Sequence, residues 1–544
     1  MLCAVSFVLC VACLTGHGQS HAAPPDAEPL PSLAELEAAG AIIGNIRIGA
    51  KNIFDLDDAE ENNALFRLAN RLHVPTRTPV VESSLLFKRG ERISRRKIDE
   101  TERVLRASQT YYDIDIRPYA YRNGVVDVEV VTRDTWTIDV TGSFSRSGGD
   151  NKSKFGIREG NLLGSGVRIG YSRLSNTDRS GTELEIVYPQ AIDGWTQFSF
   201  SRGRFNDGRR TQLSVDRPFY ALDSRFAARA SWGDEDRLDA VHNAGDLVNE
   251  YRHRLRIAEL SAGWSPGLNG SWVQRFSGGA QIDDNAYRVE RGRAPPVPLP
   301  VDHDMRGLFL RYELLEERFI RVKNHNLIER PEFLALGFTG RLQVTRAFTT
   351  FGSTRSDWLV SANASKGFSP ASGQSVIGSL RVERRIASTG NILTQVGAGL
   401  RVFAPQTEKS LWYGSISADR IRGGGIADQL LIGGTFGLRG YPARFQAGDQ
   451  RALLTLERRY YSSWYPFKLF RVGGAAFFDV GRAWGGPNQN RVNGGWLTDA
   501  GVGLRFALDR ASFANVLHAD IAMPLNRAGG IKPVQFIVKT ELTF

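Results

Sequence analysis

The sequence predicts a mainly β protein, a 16-stranded antiparallel transmembrane β-barrel that follows a small α/β domain. Three observations lead to this fold class. From Thr135 onward, stretches of roughly ten residues alternate apolar with polar or small side chains, and Gly, Asp, Asn and Ser turns separate them. The last stretch alternates up to an aromatic C-terminal residue, Phe544. The N-terminal apolar run, Leu2 to Leu14, is too short to cross a membrane as a helix.

The first 23 residues are predicted to be a secretory signal peptide, because the small residues Ala22 and Ala23 follow the apolar run. The basic segment that usually precedes such a run is missing. All three cysteines (Cys3, Cys10 and Cys13) lie in this segment. The exported chain would therefore contain no cysteine, which excludes a disulfide framework and thiol catalysis. Residues 24–40 are predicted to be a linker rich in Pro, Ala and Glu, with a short helix from Leu33 to Ala39 as one possibility.

Composition and charge narrow the class of protein. The 544 residues carry a net charge of +11, 23% charged side chains and a mean hydropathy of −0.27, which argues against a helical membrane protein. The basic residues are dispersed rather than gathered in one stripe, so we expect no nucleic-acid partner. An arginine-lined lumen, or loops that meet anionic headgroups, explains the charge better. Outer-membrane lipid and lipopolysaccharide are therefore expected partners.

Residues 41–134 are predicted to form the small α/β domain, located in the periplasm. The first predicted element is a strand marked by Ile42, Ile46 and Ile48. A helix from Asp57 to Leu72 follows, with Asp57 or Asp58 as N-cap and Leu65, Leu68 and Leu72 on one face, and Ser94 caps a second helix with Ile98 and Leu105 on one face. Two strands, Asp113 to Tyr121 and Val125 to Thr132, complete the domain. The connection between the two last strands, Asn123-Gly124, is a preferred two-residue hairpin turn. This order resembles a POTRA domain, whose sheet edge can accept an extended segment of another chain. A simple spacer or barrel lid is the alternative.

Residues 135–544 are predicted to form the barrel, because only closure satisfies every backbone group in lipid. About twenty stretches alternate, and we assign some of them to loop hairpins, which leaves sixteen strands of roughly 25 residues each with their loops. A soluble β-sandwich or propeller is less favoured, since the sequence has no blade-length repeat. The first strand contains Ile138, Val140, Gly142 and Phe144.

The C-terminal strand shows the clearest alternation. Phe536, Val538, Leu542 and Phe544 share one face, and polar residues dominate the other. An apolar outer face that ends in phenylalanine resembles the signal by which outer-membrane barrels are recognised for assembly.

The nonamer from Gly433 to Tyr441 holds four glycines and one cation, Arg439. A flexible hairpin with an incidental arginine is one interpretation. However, Glu457 lies in the next strand-like stretch and Asp479 in the one after it. An arginine that binds both carboxylates away from water would hold the loop inside a barrel. We therefore predict a loop anchor.

Leu438-Arg439-Gly440-Tyr441, Phe478-Asp479-Val480-Gly481 and the terminal phenylalanine together resemble the BamA/TamA-type superfamily, the bacterial surface antigen family. The resemblance covers nearly the whole exported chain. It implies a 16-stranded barrel, an extracellular loop folded inward with the arginine anchor, and a weak seam between the first and last strands. Members with several POTRA modules assemble other proteins, whereas this chain has room for one clear module.

The predicted function is an outer-membrane protein assembly, insertion or translocation factor with a client polypeptide as partner, acting as a single barrel. A passive or structural pore and a two-partner secretion pore for one exoprotein are the alternatives. We expect no enzyme, since no H-E-x-x-H motif occurs, and no cofactor or metal.

Overall fold

The computed structural model describes residues 30–147, 150–175, 179–243, 246–371, 373–388, 390, 392–425, 428–486, 495–511, 515–526 and 531–542. The predicted signal peptide and its cysteines, the start of the linker, and Phe544 lie outside these residues. An N-terminal α/β domain is followed by one closed β-barrel, and the domain lies against one end of that barrel. We call this end the domain end and the opposite end the far end.

The N-terminal domain has four helices and three strands within the described residues, and it begins earlier than the predicted residue 41, because Leu36 of the first helix is buried in its core. They are α1 (Leu33–Ala38), β1 (Ile42–Lys51), α2 (Ala64–Leu72), α3 (Thr78–Glu82), α4 (Arg95–Ala107), β2 (Tyr111–Arg122) and β3 (Val125–Asp134). The sheet has the order β1-β3-β2, parallel between β1 and β3 and antiparallel between β3 and β2. Its core joins β3 residues to α4, where Ile98 and Leu105 are buried. In the described part of the chain, no helix is long and apolar enough to cross a membrane.

The hairpin between β2 and β3 turns at the predicted dipeptide. Asn123 and Gly124 have φ angles of 51° and 76°, the left-handed conformation that a tight two-residue turn requires. Ser94 occupies the N-cap position of α4, as expected, although its side chain makes no capping hydrogen bond.

The predicted helix from Asp57 to Leu72 is wrong in its start and in its N-cap. The helix begins only at Ala64, where Asn63 accepts a hydrogen bond from the backbone N–H of Phe66. Upstream, carboxylates accept hydrogen bonds from nearby backbone N–H groups and favour turns over helix. The face with Leu65, Leu68 and Leu72 is exposed, because Phe66 on the other side docks the helix.

The remaining strands follow in chain order. They are β4 (Ile138–Ser147), β5 (Asp150–Glu159), β6 (Arg168–Ser175), β7 (Ser180–Tyr188), β8 (Gln197–Phe205), β9 (Gly208–Arg217), β10 (Phe226–Asn243), β11 (Asp246–Asn269), β12 (Trp272–Arg288), β13 (His303–Glu316), β14 (Phe319–Lys323), β15 (Pro331–Ala335), β16 (Thr339–Ala347), β17 (Trp358–Phe368), β18 (Ser375–Ile386), β19 (Ile392–Thr407), β20 (Ser410–Arg422), β21 (Leu430–Ile432), β22 (Gln446–Gly448), β23 (Gln450–Tyr461), β24 (Phe470–Trp484), β25 (Leu497–Leu508), β26 (Asn515–Pro524) and β27 (Gln535–Leu542).

The barrel has twenty strands in the described part of the chain, not the predicted sixteen. All of β4–β27 belong to it except two short hairpins, β14–β15 and β21–β22. The prediction failed because it treated alternating stretches as loop hairpins. Tight connections, such as the two residues between β8 and β9, leave about 20 residues per strand and loop, fewer than the assumed 25.

The barrel wall is apolar outside and polar inside. Leu260 and Leu310 point outward and are 66% and 75% exposed. Inward positions on the opposite wall carry buried charges, among them Glu457 and Asp479. A soluble protein has the opposite arrangement, with apolar side chains inside and polar side chains outside. An apolar exterior around a polar interior is the pattern that a lipid environment requires of a closed barrel.

Candidate functional site: the arginine loop and the barrel seam

Residues 430–448, within the connection between β20 and β23, fold into the barrel; we call them the arginine loop. β21 pairs with β22 at its base. Gly433 has φ 111°, and a Cβ there would lie 2.2 Å from the carbonyl oxygen of Pro442, so the tight turn requires glycine. Leu438 is fully buried at φ 62°, a conformation that a non-glycine residue keeps only when its surroundings impose it. The loop is therefore a packed structural element.

Arg439 binds both acidic residues that the sequence pairs with it. Its Nε and Nη2 donate to the two carboxylate oxygens of Asp479 at 2.8 and 3.0 Å, and its Nη1 donates to Glu457 at 2.7 Å. The guanidinium also stacks on Phe477, with Cζ 3.4 Å from the ring centroid. All of these groups are buried, so the charges are shielded from water. A bidentate fork of this kind fixes orientation as well as charge.

The two residues after Arg439 complete the anchor. Gly440 donates its backbone N–H to Asp499 at 2.9 Å, and a Cβ at Gly440 would lie 2.9 Å from the backbone nitrogen of Pro524. The hydroxyl of Tyr441 lies 3.0 Å from the carbonyl oxygens of Thr498 and Asn526. The loop thus approaches β25 and β26 as closely as backbone permits.

Sequence reasoning missed two further acids, Asp499 on β25 and Asp520 on β26. Asp520 accepts a hydrogen bond from Nη1 of Arg439 at 3.4 Å and is also paired with Arg505. Asp499 lies directly across the ladder from Asp479, and like charges in that position repel unless a donor separates them. The sequence feature that could have identified them is the presence of one acidic residue on the inward face of each of four consecutive barrel strands, β23 to β26.

A second connection links the arginine loop to a hairpin that enters the lumen from the domain end. Residues 319–335, the lumenal hairpin, join β13 to β16 and pack Ile328 against the inner wall. Arg459 donates from Nη1 to the carbonyl of His325 in this hairpin at 2.9 Å and from Nε to Glu457 at 2.7 Å. Glu457 therefore joins the hairpin to Arg439.

The arginine loop also reaches the opposite wall. Nη1 of Arg444 lies 2.7 Å from Nε2 of His242 on β10. β10 is ten strands away from β24 around the ring of twenty, so the loop crosses the lumen. The loop and the lumenal hairpin together obstruct the barrel interior.

The seam between β4 and β27 is the least paired junction in the described ring. Here the described residues pair at one position, Val538 with Arg146. By contrast, β26 pairs with β27 over the whole of β27, and β4 pairs with β5 over its entire length. Ile138, Val140, Gly142 and Phe144 all lie on β4, and the side chains of the latter three are outside the described part.

The predicted assembly signal is only partly visible. Phe536 points outward and is 58% exposed, whereas its neighbour Ile537 is buried. Val538 lies at the seam. Leu542 ends β27, and its side chain, like all of Phe544, lies outside the described residues. Recognition of this strand stays a prediction.

The N-terminal domain is held to the domain end by buried polar contacts. Asp134 accepts hydrogen bonds from the backbone N–H and the hydroxyl of Thr76 and lies 3.0 Å from His73. Asn161, in the turn between β5 and β6, donates to the Thr76 hydroxyl at 2.7 Å. On the other side, Glu100 accepts a hydrogen bond from the backbone of Leu222 at 2.8 Å. The domain therefore lies across the domain end of the barrel.

Comparisons with known proteins show similarity only at the level of shape. No protein-family model matches the chain, and no curated protein matches its sequence. Similar solved structures include CdiB from Escherichia coli (14% identity, 92% of this chain and 76% of that chain covered, TM-score 0.46), CdiB from Acinetobacter baumannii (13%, 92% and 73%, 0.42) and BamA from Haemophilus ducreyi lacking POTRA domains 1–3 (14%, 92% and 85%, 0.39). At such identities and TM-scores these likenesses carry no functional information.

Proposed function

We propose that this protein is an outer-membrane assembly or translocation factor that passes a client polypeptide through a lateral opening at the β4–β27 seam. The N-terminal domain, a single POTRA module in the periplasm, receives the client. The protein acts as a single barrel without catalysis, cofactor or metal.

The observation that carries the proposal is the seam. Barrel strands are held together laterally by backbone hydrogen bonds, so the junction with one described pair is the cheapest place to separate them. An opened seam exposes two strand edges, and a client strand can add to either edge by the same hydrogen-bond pattern. Once its outer face is apolar, that strand is stable in lipid.

The filled lumen favours this function over a passive pore. A solute that crosses the barrel along its axis meets the N-terminal domain, the lumenal hairpin and the arginine loop in turn. The loop is held by a buried arginine with three acidic partners, which is not a readily displaced gate. A lateral route avoids displacing this loop.

The N-terminal sheet offers a place for the client to bind. In the order β1-β3-β2, strand β2 has β3 on one side and no strand on the other within the described sheet. Tyr119 on β2 is exposed. An extended peptide can pair with such an edge through main-chain hydrogen bonds.

A disulfide across the seam tests the proposal. Arg146→Cys with Val538→Cys would lock β4 to β27 in the otherwise cysteine-free exported chain. We expect the oxidised variant in proteoliposomes to stop accelerating the insertion of a urea-unfolded eight-stranded barrel, and reduction to restore it. Ile521→Cys with Phe536→Cys, which locks the fully paired β26–β27 junction, is the matched control. Undiminished insertion with a locked seam would refute lateral opening.

Photo-crosslinking in living cells distinguishes the candidate functions. A photoreactive residue replaces Tyr119 on β2 or Val140 on β4, and Leu310 on the outer wall serves as the control position. Crosslinks to nascent outer-membrane proteins would support assembly. Crosslinks to one exoprotein alone would support two-partner secretion, and conductance without crosslinks would support a passive barrel.

A further inference from the structure

The outer wall between β9 and β12 carries an apolar groove of about 340 Å³. Small alanines lie between large side chains on adjacent strands, which leaves a depression in the wall. The residues that form it include Ala230, Ala258, Leu213, Trp232, Leu260 and Ile282. Four of them (Leu213, Trp232, Leu260 and Ile282) are large, exposed and apolar. A groove of this composition on a lipid-facing wall fits an acyl chain.

Three exposed arginines lie on the same wall toward the far end. Arg202 and Arg204 are on β8, and Arg209 is on β9. Arg204 and Arg209 are directly opposite each other across the ladder, where like charges repel. Within the part of the chain that the structure describes, none of the three forms an ion pair. Asp236 lies across the ladder from Arg209 but is paired with Arg252, so an added anion would relieve the repulsion between the arginines.

A second basic group lies directly beyond the groove on β11. Arg256 is two residues from Ala258 along the strand, and Arg254 follows at the next outward position. Both guanidiniums share one carboxylate, Asp234, at 3.4 and 3.2 Å. Asp236 and Asp284 lie across the ladder from Arg254 and Arg256, but these two acids are paired with Arg252 and Arg306.

The spacing of groove and arginines matches one amphipathic ligand. Positions i and i+2 on a strand are separated by about 7 Å, so the basic side chains begin where the apolar wall ends. Guanidinium groups bind phosphate oxygens in a bidentate manner, and long arginine side chains reach from the wall to a headgroup. A lipid acyl chain in the groove would place its phosphorylated headgroup among the arginines.

We propose that this surface, formed by the groove and by Arg202, Arg204 and Arg209, is a binding site for the phosphorylated lipid anchor of lipopolysaccharide. The far end is opposite the N-terminal domain, so a periplasmic domain places the site in the outer leaflet, where this lipid resides. That orientation rests on the proposed function. The binding site itself requires only that the barrel lies in a membrane, and its test needs no client.

The test measures lipid retention by the full exported chain in detergent. Purified bis-phosphorylated lipid A is titrated into the wild type and into Arg202→Ala/Arg204→Ala/Arg209→Ala, and bound lipid is counted by native mass spectrometry. We expect the apparent Kd of the triple variant to rise about tenfold or more, since charge-assisted contacts to phosphate are lost. Heat-modifiable electrophoretic mobility verifies that each variant is folded.

A matched control variant removes the same number of positive charges elsewhere on the barrel. Arg384, Arg420 and Arg422 are also exposed near the far end, but they do not border the groove. Arg384→Ala/Arg420→Ala/Arg422→Ala should leave the apparent Kd within about twofold, as is typical of surface changes away from a binding site. An equal loss in both triple variants would overturn the site in favour of diffuse charge attraction.

Two further experiments distinguish the contribution of the groove to lipid binding from that of the headgroup. Ala258→Phe fills the groove without changing charge and should weaken lipid A binding, whereas Leu310→Phe elsewhere on the outer wall should not. Dephosphorylated lipid A should bind the wild type and the arginine variant equally. If phosphatidylglycerol displaces lipid A at equal concentration, or if Ala258→Phe has no effect, the proposed ligand is wrong.

Discussion

Replacing Arg439 with alanine should release the arginine loop from the barrel wall. The change removes the bidentate pair with Asp479, the hydrogen bond to Glu457 and the stacking on Phe477. Glu457 retains Arg459 as a partner, whereas Asp479 loses two hydrogen bonds and stays buried beside Asp499. Loss of one partner of a buried ion pair costs about 3–5 kcal/mol.

That cost sets the size of the measurable effect. A change of about 3–5 kcal/mol shifts the ratio of seated to released loop by a factor on the order of 100 to several thousand. Protection of the amide groups of residues 437–441 from hydrogen exchange should fall by a similar factor. New protease cleavage within residues 430–448 and a higher single-channel conductance in planar bilayers should accompany the loss.

A double-mutant cycle separates the ion pair from general damage. Arg439→Ala combined with Asp479→Ala leaves no unpaired carboxylate at that position, so the double variant should be more protected than Arg439→Ala alone. Arg381→Ala, which removes an exposed lumenal arginine with only a 3.6 Å contact to Asp419, is the matched control and should change little. Unaltered protection and conductance in Arg439→Ala would refute the anchor.

Three further changes test other contacts. Gly440→Ala should release the loop as Arg439→Ala does, because the added Cβ would press on the backbone of the adjoining strand. Gly414→Ala is the control, since no atom lies within 4 Å of its Cβ. Proteolysis of the loop should increase in the first variant and stay unchanged in the second. Asn161→Ala removes the hydrogen bond to Thr76 that joins barrel and N-terminal domain, and should cost about 1–3 kcal/mol, seen as faster protease release of the domain; an unchanged rate would contradict the docking. Arg459→Met removes the guanidinium that bridges the lumenal hairpin and the loop, so hydrogen exchange should rise in both segments; a rise in one alone would show that they are uncoupled.

The general architecture could be predicted from local sequence because a wall with different outer and inner faces constrains a strand residue by residue. Alternation at Leu308 and Leu310 follows directly from a wall with one apolar and one polar face. The turn at Asn123-Gly124 is similarly local, since few residues adopt its left-handed angles. Arg439, Glu457 and Asp479 could be grouped because one cation among glycines precedes two acids on consecutive strands.

Tertiary structure decided three features that the sequence did not reveal. They are the number of barrel strands, the face of the second helix that is buried, and the two acids Asp499 and Asp520 beside Arg439. Alternation does not distinguish a barrel strand from a loop hairpin, because both alternate; only closure of the ring assigns β14–β15 to the lumen and leaves twenty strands in the wall. The apolar pattern of Leu65, Leu68 and Leu72 indicated a helix but not which face would be buried, and docking through Phe66 decided that. Asp499 and Asp520 became part of the site because the register of β24–β26 brings them to the level of Arg439.

The sequence by itself determined that most of this chain forms strands with one apolar face. Successive side chains of a strand point to opposite faces, so an apolar residue at every second position is visible in the sequence. The tertiary structure alone decided how many strands close the ring, which segments fill the lumen, and which junction is least paired among the described residues. Those features depend on pairing between residues hundreds of positions apart, such as Arg146 and Val538, which no local pattern records.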